Sequence, residues 1–148
     1  MPSDLATARE LGERIAATGW VLLSGGRASG VMEAASQGAR AAGGLVIGVL
    51  PDADARNLSP AVEIAIFTDM GSARNNINVL SSDAIIACGM GTGTLSEVAL
   101  ALKADKSVIL LNWSPVGQTF LKELAPNQVQ IAETPAAAIA ALQNLNFG

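Results

Sequence analysis

Residues 20–32 read Trp-Val-Leu-Leu-Ser-Gly-Gly-Arg-Ala-Ser-Gly-Val-Met, and this stretch decides the fold. Trp20 to Leu23 is a short apolar run of the kind that forms a buried strand. Ser24-Gly25-Gly26 breaks it, and Ser29 is placed to cap a helix running through Ala42. A strand that turns through glycines into a helix puts backbone N–H groups above the carboxyl edge of a sheet. The helix dipole makes that place favourable for an anion. Glycine lets the backbone come close to a ligand, and Arg27 can add a charge-assisted contact. A tight turn with no ligand would use the same glycines, so one such turn leaves both readings open.

Working outward, the same alternation recurs. Upstream, Leu5, Ala8, Leu11 and Ile15 repeat at helical spacing and Gly19 closes that helix. Downstream, Gly43-Gly44 ends the second helix, Leu45 to Leu50 is a strand, and Pro51 stops it. Residues 51–60, with their prolines, aspartates and asparagine, form a loop. Glu63 to Phe67 is a third strand and Ser72 to Leu80 a helix. Ala84 to Cys88 is a fourth strand. A helix follows from Thr94 to about Lys103, then a fifth strand, Val108 to Leu111. The last third holds a short helix over Phe120 to Leu124, an edge strand over Val129 to Ile131 and a terminal helix over Pro135 to Leu142, with Pro135 suited to a first helical turn.

Strands that alternate with helices and are apolar on both faces predict an α/β, three-layer, Rossmann-like fold. Its parallel sheet would carry helices on both faces, in a single domain over residues 1–148. A doubly wound nucleotide-binding fold normally opens with a strand and a first glycine turn. This chain opens with a helix, so the first strand is expected to be absent or its place filled by another element.

A second glycine-rich turn, Gly89-Met90-Gly91-Thr92-Gly93-Thr94, has the same strand-to-helix placement. Thr92 and Thr94 can both donate to phosphate oxygens. Glu97 lies three residues after Thr94, the spacing of a capping box. A carboxylate beside a phosphate would repel it, so Glu97 is expected to face a sugar or a ring if it faces a ligand. The third candidate is Arg74-Asn75-Asn76-Ile77-Asn78. On a helix Arg74, Asn78 and Ser81 form one polar stripe, with Ile77 and Leu80 toward the core. Asparagine is a poor helix former, so its clustering needs a reason: ligand contact or a solvated face. The candidate binding set is Gly25, Gly26, Arg27, Ser29, Gly30, Met32, Arg74, Asn75, Asn78, Gly89, Gly91, Thr92, Gly93 and Thr94. Cys88 and Met90 read as packing. Trp113 and Pro115 could wall a pocket or cap the core.

Composition limits the chemistry. The net charge of −4 and isoelectric point near 4.6 argue against nucleic acid, so any anion must be held by local groups. Histidine and tyrosine are absent. That removes Ser-His-Asp catalysis, most zinc sites and histidine acid/base chemistry. One cysteine gives no disulfide framework and fits a reducing compartment. No apolar run is long enough for a membrane span, and the N-terminus is not a signal peptide, so a cytoplasmic location is expected. The helix from Thr94 is apolar nearly all round through Leu95, Val98, Leu100 and Leu102. It is expected to lie in the interface of a homo-oligomer, or else under the C-terminal segment.

The run Gly25-Gly26 to Gly30-Val31-Met32, then Arg74, then Gly91-Thr92-Gly93-Thr94-Leu95-Ser96-Glu97 resembles the Lonely-Guy, or "lysine decarboxylase-like", Rossmann superfamily. Within it, residues 73–82 and Ala87-Cys88-Gly89-Met90-Gly91 are most similar to the molybdenum cofactor carrier proteins of algae and cyanobacteria. The resemblance implies a homo-oligomer, dimer or tetramer, that binds and protects molybdopterin-type cofactor without turnover, with molybdoenzymes as recipients. It implies no pyridoxal phosphate and no catalytic metal. It also implies an alternative. Lonely-Guy enzymes hydrolyse the N-glycosidic bond of nucleoside 5′-monophosphates with an arginine and a glutamate that fall on Arg74 and Glu97. The sequence departs from that enzyme pattern at Gly89-Met90-Gly91, which replaces Pro-Gly-Gly, at Asn75, which replaces a basic residue, and at Arg27, which replaces a glycine. A nucleotide-sensing module without turnover is the third reading.

Overall fold

The computed structural model describes residues 2–145 and divides them between two compact units, Met1–Asn78 and Val79–Gly148. The first unit begins with α1 (Pro2–Ala17), β1 (Leu22–Ser24), α2 (Gly30–Ala41), β2 (Val46–Leu50) and β3 (Ile64–Phe67). A 3-10 turn over Gly71–Ala73 then leads into α3 (Arg74–Ser81), which runs across the division. The second unit continues with β4 (Ala84–Cys88), α4 (Thr92–Lys103), β5 (Ser107–Leu111), α5 (Pro115–Leu124), β6 (Val129–Ala132) and α6 (Pro135–Gln143). The fold is α/β, with parallel sheets flanked by helices.

In the first unit β2 pairs in parallel with β1 and with β3, setting Leu23 opposite Ile47 and Gly48 opposite Ala65. Gly19, at φ +84°, ends α1 where the sequence places the stop. Ala8, Leu11 and Ile15 of α1 are buried, with Ala35 and Ala39 of α2. The two helices cross where glycines remove the side chains. A Cβ on Gly12 would lie 2.0 Å from the Ala35 carbonyl oxygen, and one on Gly38 would lie 2.0 Å from that of Arg9. The β2-to-β3 connection is a loop without a helix. Ile64, Ile66 and Phe67 of β3 are accordingly left exposed.

In the second unit β5 pairs in parallel with β4 and with β6. Its Val-Ile-Leu-Leu run is buried throughout, as a strand covered on both faces requires. Val79, Ala87, Val98, Ala101, Val108, Leu110, Trp113, Leu121 and Val129 form the core there. Pro115 and Pro135 both sit in the first turns of their helices, and α5 starts at Pro115 rather than Phe120. Ser114 and Thr134 cap these helices with their hydroxyls, accepting from the amides of Gly117 and Ala137. No helix among the described residues is long and apolar enough to cross a membrane.

Candidate anion-binding site

The first glycine turn leaves β1 at Ser24. Gly26, at φ +74°, lies against β2: a Cβ on it would fall 2.8 Å from Leu50 Cδ1, and one on the neighbouring Gly48 would fall 2.8 Å from Gly26 Cα. The Gly26 amide donates to Ser24 Oγ at 3.1 Å. The Ala28 amide donates to the Asn57 carbonyl at 2.8 Å, and Ser59 donates back to the Gly26 carbonyl at 2.9 Å. Arg27 thereby faces Leu58 in an isolated antiparallel bridge. Two of the turn's amides are committed within the protein. The first turn of α2, Gly30 to Met32, is where donors without an intrahelical partner begin. Ser29 holds the N-cap position with extended backbone, but its hydroxyl makes no cap hydrogen bond. Arg27, Ser29 and Gly30 are exposed.

The 51–60 loop is thus a strap across the first turn, where the sequence indicates a connection only. The signal that could have found it is length: a long stretch without structure inside a compact fold tends to pack on something functional. Asp54 on this strap accepts from the Arg56 amide at 3.0 Å and from Arg56 Nη2 at 2.8 Å. The Arg56 backbone amide first, and its guanidinium second, hold the Asp54 carboxyl below the usual carboxylate range.

Arg74 begins α3 and is only 9% exposed, while Asn75 and Asn78 are 5% and 6% exposed. Arg74, Asn75 and Asn78 therefore face inward, whereas Asn76 and Ser81, the latter the end of the stripe, are exposed, so the solvated-face reading holds only for those two. Leu80, expected in the core, is 57% exposed, and Val79 takes its place fully buried. Arg74 Nη1 donates to Asn75 Oδ1. The guanidinium also lies against the first turn. A Cβ on Gly25 would fall 2.6 Å from Arg74 Nη2 and 2.5 Å from Met32 Sδ. Gly25, Met32, Arg74 and Asn75 are brought together as one cluster, and Gly25 must lack a side chain for that cluster to exist.

In the second unit, Gly89 turns at φ +76° and its amide donates to the Leu111 carbonyl at 2.8 Å. Helix α4 starts at Thr92, two residues earlier than the sequence suggests, with Gly91 as N-cap. The Thr94–Glu97 capping box is therefore not formed. Thr94 is the third helical residue and Glu97 lies in the second turn, half-buried. The amides of Thr92, Gly93 and Thr94 occupy the first turn, where the helix itself supplies no acceptor, and Gly91 brings no side-chain cap. A Cβ on Gly91 or on Gly93 would meet nothing within 4 Å, and neither residue has positive φ. Backbone geometry and packing do not require glycine there. What these glycines provide is an open approach to the helix end. Trp113 is buried and donates from Nε1 to the Ala87 carbonyl at 2.9 Å, so it caps the core. Among the described residues no group of three His, Cys, Asp or Glu side chains could hold a metal ion.

Residues 1–139 match the SLOG cluster4 family. The chain belongs to this family. Among solved structures, this SLOG cluster4 chain is similar to the molybdenum cofactor binding protein of Rippkaea orientalis. The two are 58% identical with a TM-score of 0.94, over 97% of this chain and 88% of that one. It is also similar to the molybdenum cofactor carrier protein of Chlamydomonas reinhardtii, at 50% identity and a TM-score of 0.92, over 97% of this chain and 88% of that one. A more distant relative is the cytokinin riboside 5′-monophosphate phosphoribohydrolase of Mycobacterium tuberculosis. It is 38% identical over 103 residues, which are 64% of this chain and 51% of that protein.

Proposed function

We propose that this chain binds and protects molybdenum cofactor and performs no chemistry on it. The observation that carries the reading is 58% identity, over nearly the whole chain, to a molybdenum cofactor binding protein. The chemistry of the site residues supports it. The net charge of −4 leaves no general attraction for a phosphate, so local donors must provide it. From the first unit come Arg74, Asn75 and Asn78, with the Gly25–Met32 turn. From the second come Gly89 and the Gly91–Thr94 amides and hydroxyls. Each group is a candidate by itself: a buried guanidinium in the first unit, or uncapped helix amides in the second, suits a phosphate, and the asparagine amides offer both donor and acceptor to a pterin edge.

The chain would work in the cytoplasm, as a homo-oligomer with α4 in its interface, and pass its cargo to molybdoenzymes. Val98 and Ala101 of α4 are buried while Leu95 is 47% exposed, so one face of α4 still presents apolar surface.

The second reading is a nucleoside 5′-monophosphate phosphoribohydrolase, favoured by the presence of both Arg74 and Glu97 and by the mycobacterial relative. Such hydrolysis needs a carboxylate to stabilise an oxocarbenium-like sugar. Incubation of the purified protein with AMP decides between them. The carrier reading expects no free adenine above background. Rapid adenine release that is abolished in Glu97→Gln would establish the hydrolase instead.

A further inference from the structure

Met90 reads from sequence as packing, but its surroundings are not those of a packed side chain. It is 54% exposed. Its thioether sulfur accepts a hydrogen bond from the Ser114 amide at 3.2 Å. Ser114 is the N-cap of α5, so this amide lies just outside that helix, and the Ser114 hydroxyl is engaged by the Gly117 amide at 3.3 Å. Gly117 leaves the room: a Cβ there would fall 3.0 Å from the Trp113 ring and 3.5 Å from Met90 Cε.

Two further bonds run between the same two segments. The Gly89 amide donates to the Leu111 carbonyl at 2.8 Å, and Trp113 Nε1 donates to the Ala87 carbonyl at 2.9 Å. The second holds the end of β4 and the first holds only the opening residue of the turn. Met90 reaches across from inside the turn, two residues before the first helical residue of α4. The turn's own glycines, Gly91 and Gly93, have open space where a side chain would be.

We infer that Met90 is a positioning residue. Its sulfur latches the glycine turn to the start of α5 and so sets the direction of the Thr92–Thr94 amides toward an anion. Thioether sulfur is a weak acceptor, so the latch is a modest one. The inference rests on the cofactor-binding reading only for its consequence in affinity; the latch itself is tested separately.

The test compares Met90→Leu, which keeps the volume and removes the acceptor, with Met90→Gln, which restores an acceptor oxygen. Hydrogen exchange is read at the Ser114 amide, and affinity is read with molybdenum cofactor. In Met90→Leu, Ser114 is expected to exchange faster and the cofactor Kd to rise about five- to tenfold, the effect of losing one modest hydrogen bond. Met90→Gln is expected to return both readouts to within about twofold of the wild type. A side chain that only packs would tolerate leucine, since volume-conserving swaps disturb little. Unchanged Ser114 exchange and unchanged affinity in Met90→Leu would overturn the inference. If the wild type does not bind cofactor at all, the functional reading fails, and Ser114 exchange still decides whether the latch exists.

Discussion

Gly25 and Gly93 each lack a side chain for a different reason, and substitution separates the two. Gly25 sits against Met32 Sδ and the Arg74 guanidinium, both ends of side chains rather than backbone. Gly25→Ala should leave the fold standing and push Arg74 aside. We expect cofactor affinity to fall about tenfold or more, the scale of a charge-assisted hydrogen bond, with melting temperature little changed. Gly93 lies inside α4 with open space around it. Gly93→Ala should therefore stabilise the protein by about 0.5–1 kcal/mol in denaturant unfolding, because alanine is the better helix former. The same methyl should weaken cofactor binding, as it narrows the approach to the helix end. Stabilisation with unchanged affinity would show that the second turn does not face the ligand. The Arg74–Asn78 stripe is legible in the sequence through its spacing. Which way the stripe faces is not, because periodicity places residues on one side of a helix without saying where the core lies. Burial of Arg74, Asn75 and Asn78 supplies that.

At the scale of elements, helix starts are the least legible feature. The sequence points to Thr94 as the beginning of α4 because a threonine followed by Glu97 mimics a capping box, and because Gly93 is a poor helix residue. In the structure the glycine is inside the helix and Gly91 is the N-cap. Gly117 has the same effect on α5, hiding the Ser114-Pro115 start that caps it. Strand cores, by contrast, are plain: β4 runs from Ala84 to Cys88 as its apolar composition indicates. Cap chemistry gives a paired expectation. Thr134 accepts from the Ala137 amide, whereas Ser29 holds an N-cap position without such a bond. Thr134→Ala should cost about 1 kcal/mol in chemical denaturation. Ser29→Ala should stay within about 0.5 kcal/mol of the wild type. Equal losses at both sites would mean that the two hydroxyls do the same work.

At the scale of the molecule, the absence of histidine and the acidic balance narrow the chemistry before any site is located. They remove histidine chemistry and any general attraction for anions, so an anion bound by this chain must be held by local donors. Of the strap over residues 51–60 only its length is legible, because its contacts with Gly26 and Ala28 are made through backbone groups that carry no sequence signature. Assembly is tested at α4. Leu95→Glu places a charge on its exposed apolar face, and the mass from size exclusion with light scattering should fall to a smaller species. An unchanged oligomer would remove α4 from the interface.

The central claim is that the chain holds intact molybdenum cofactor. It is tested most directly by titrating purified protein with the cofactor, followed by recovery of the bound material and its analysis by mass spectrometry. Expected are saturable binding at no more than one cofactor per chain, recovery of unaltered cofactor, and a large loss of affinity in Arg74→Ala. Absence of saturable binding, or recovery of a cleaved product, would contradict the claim.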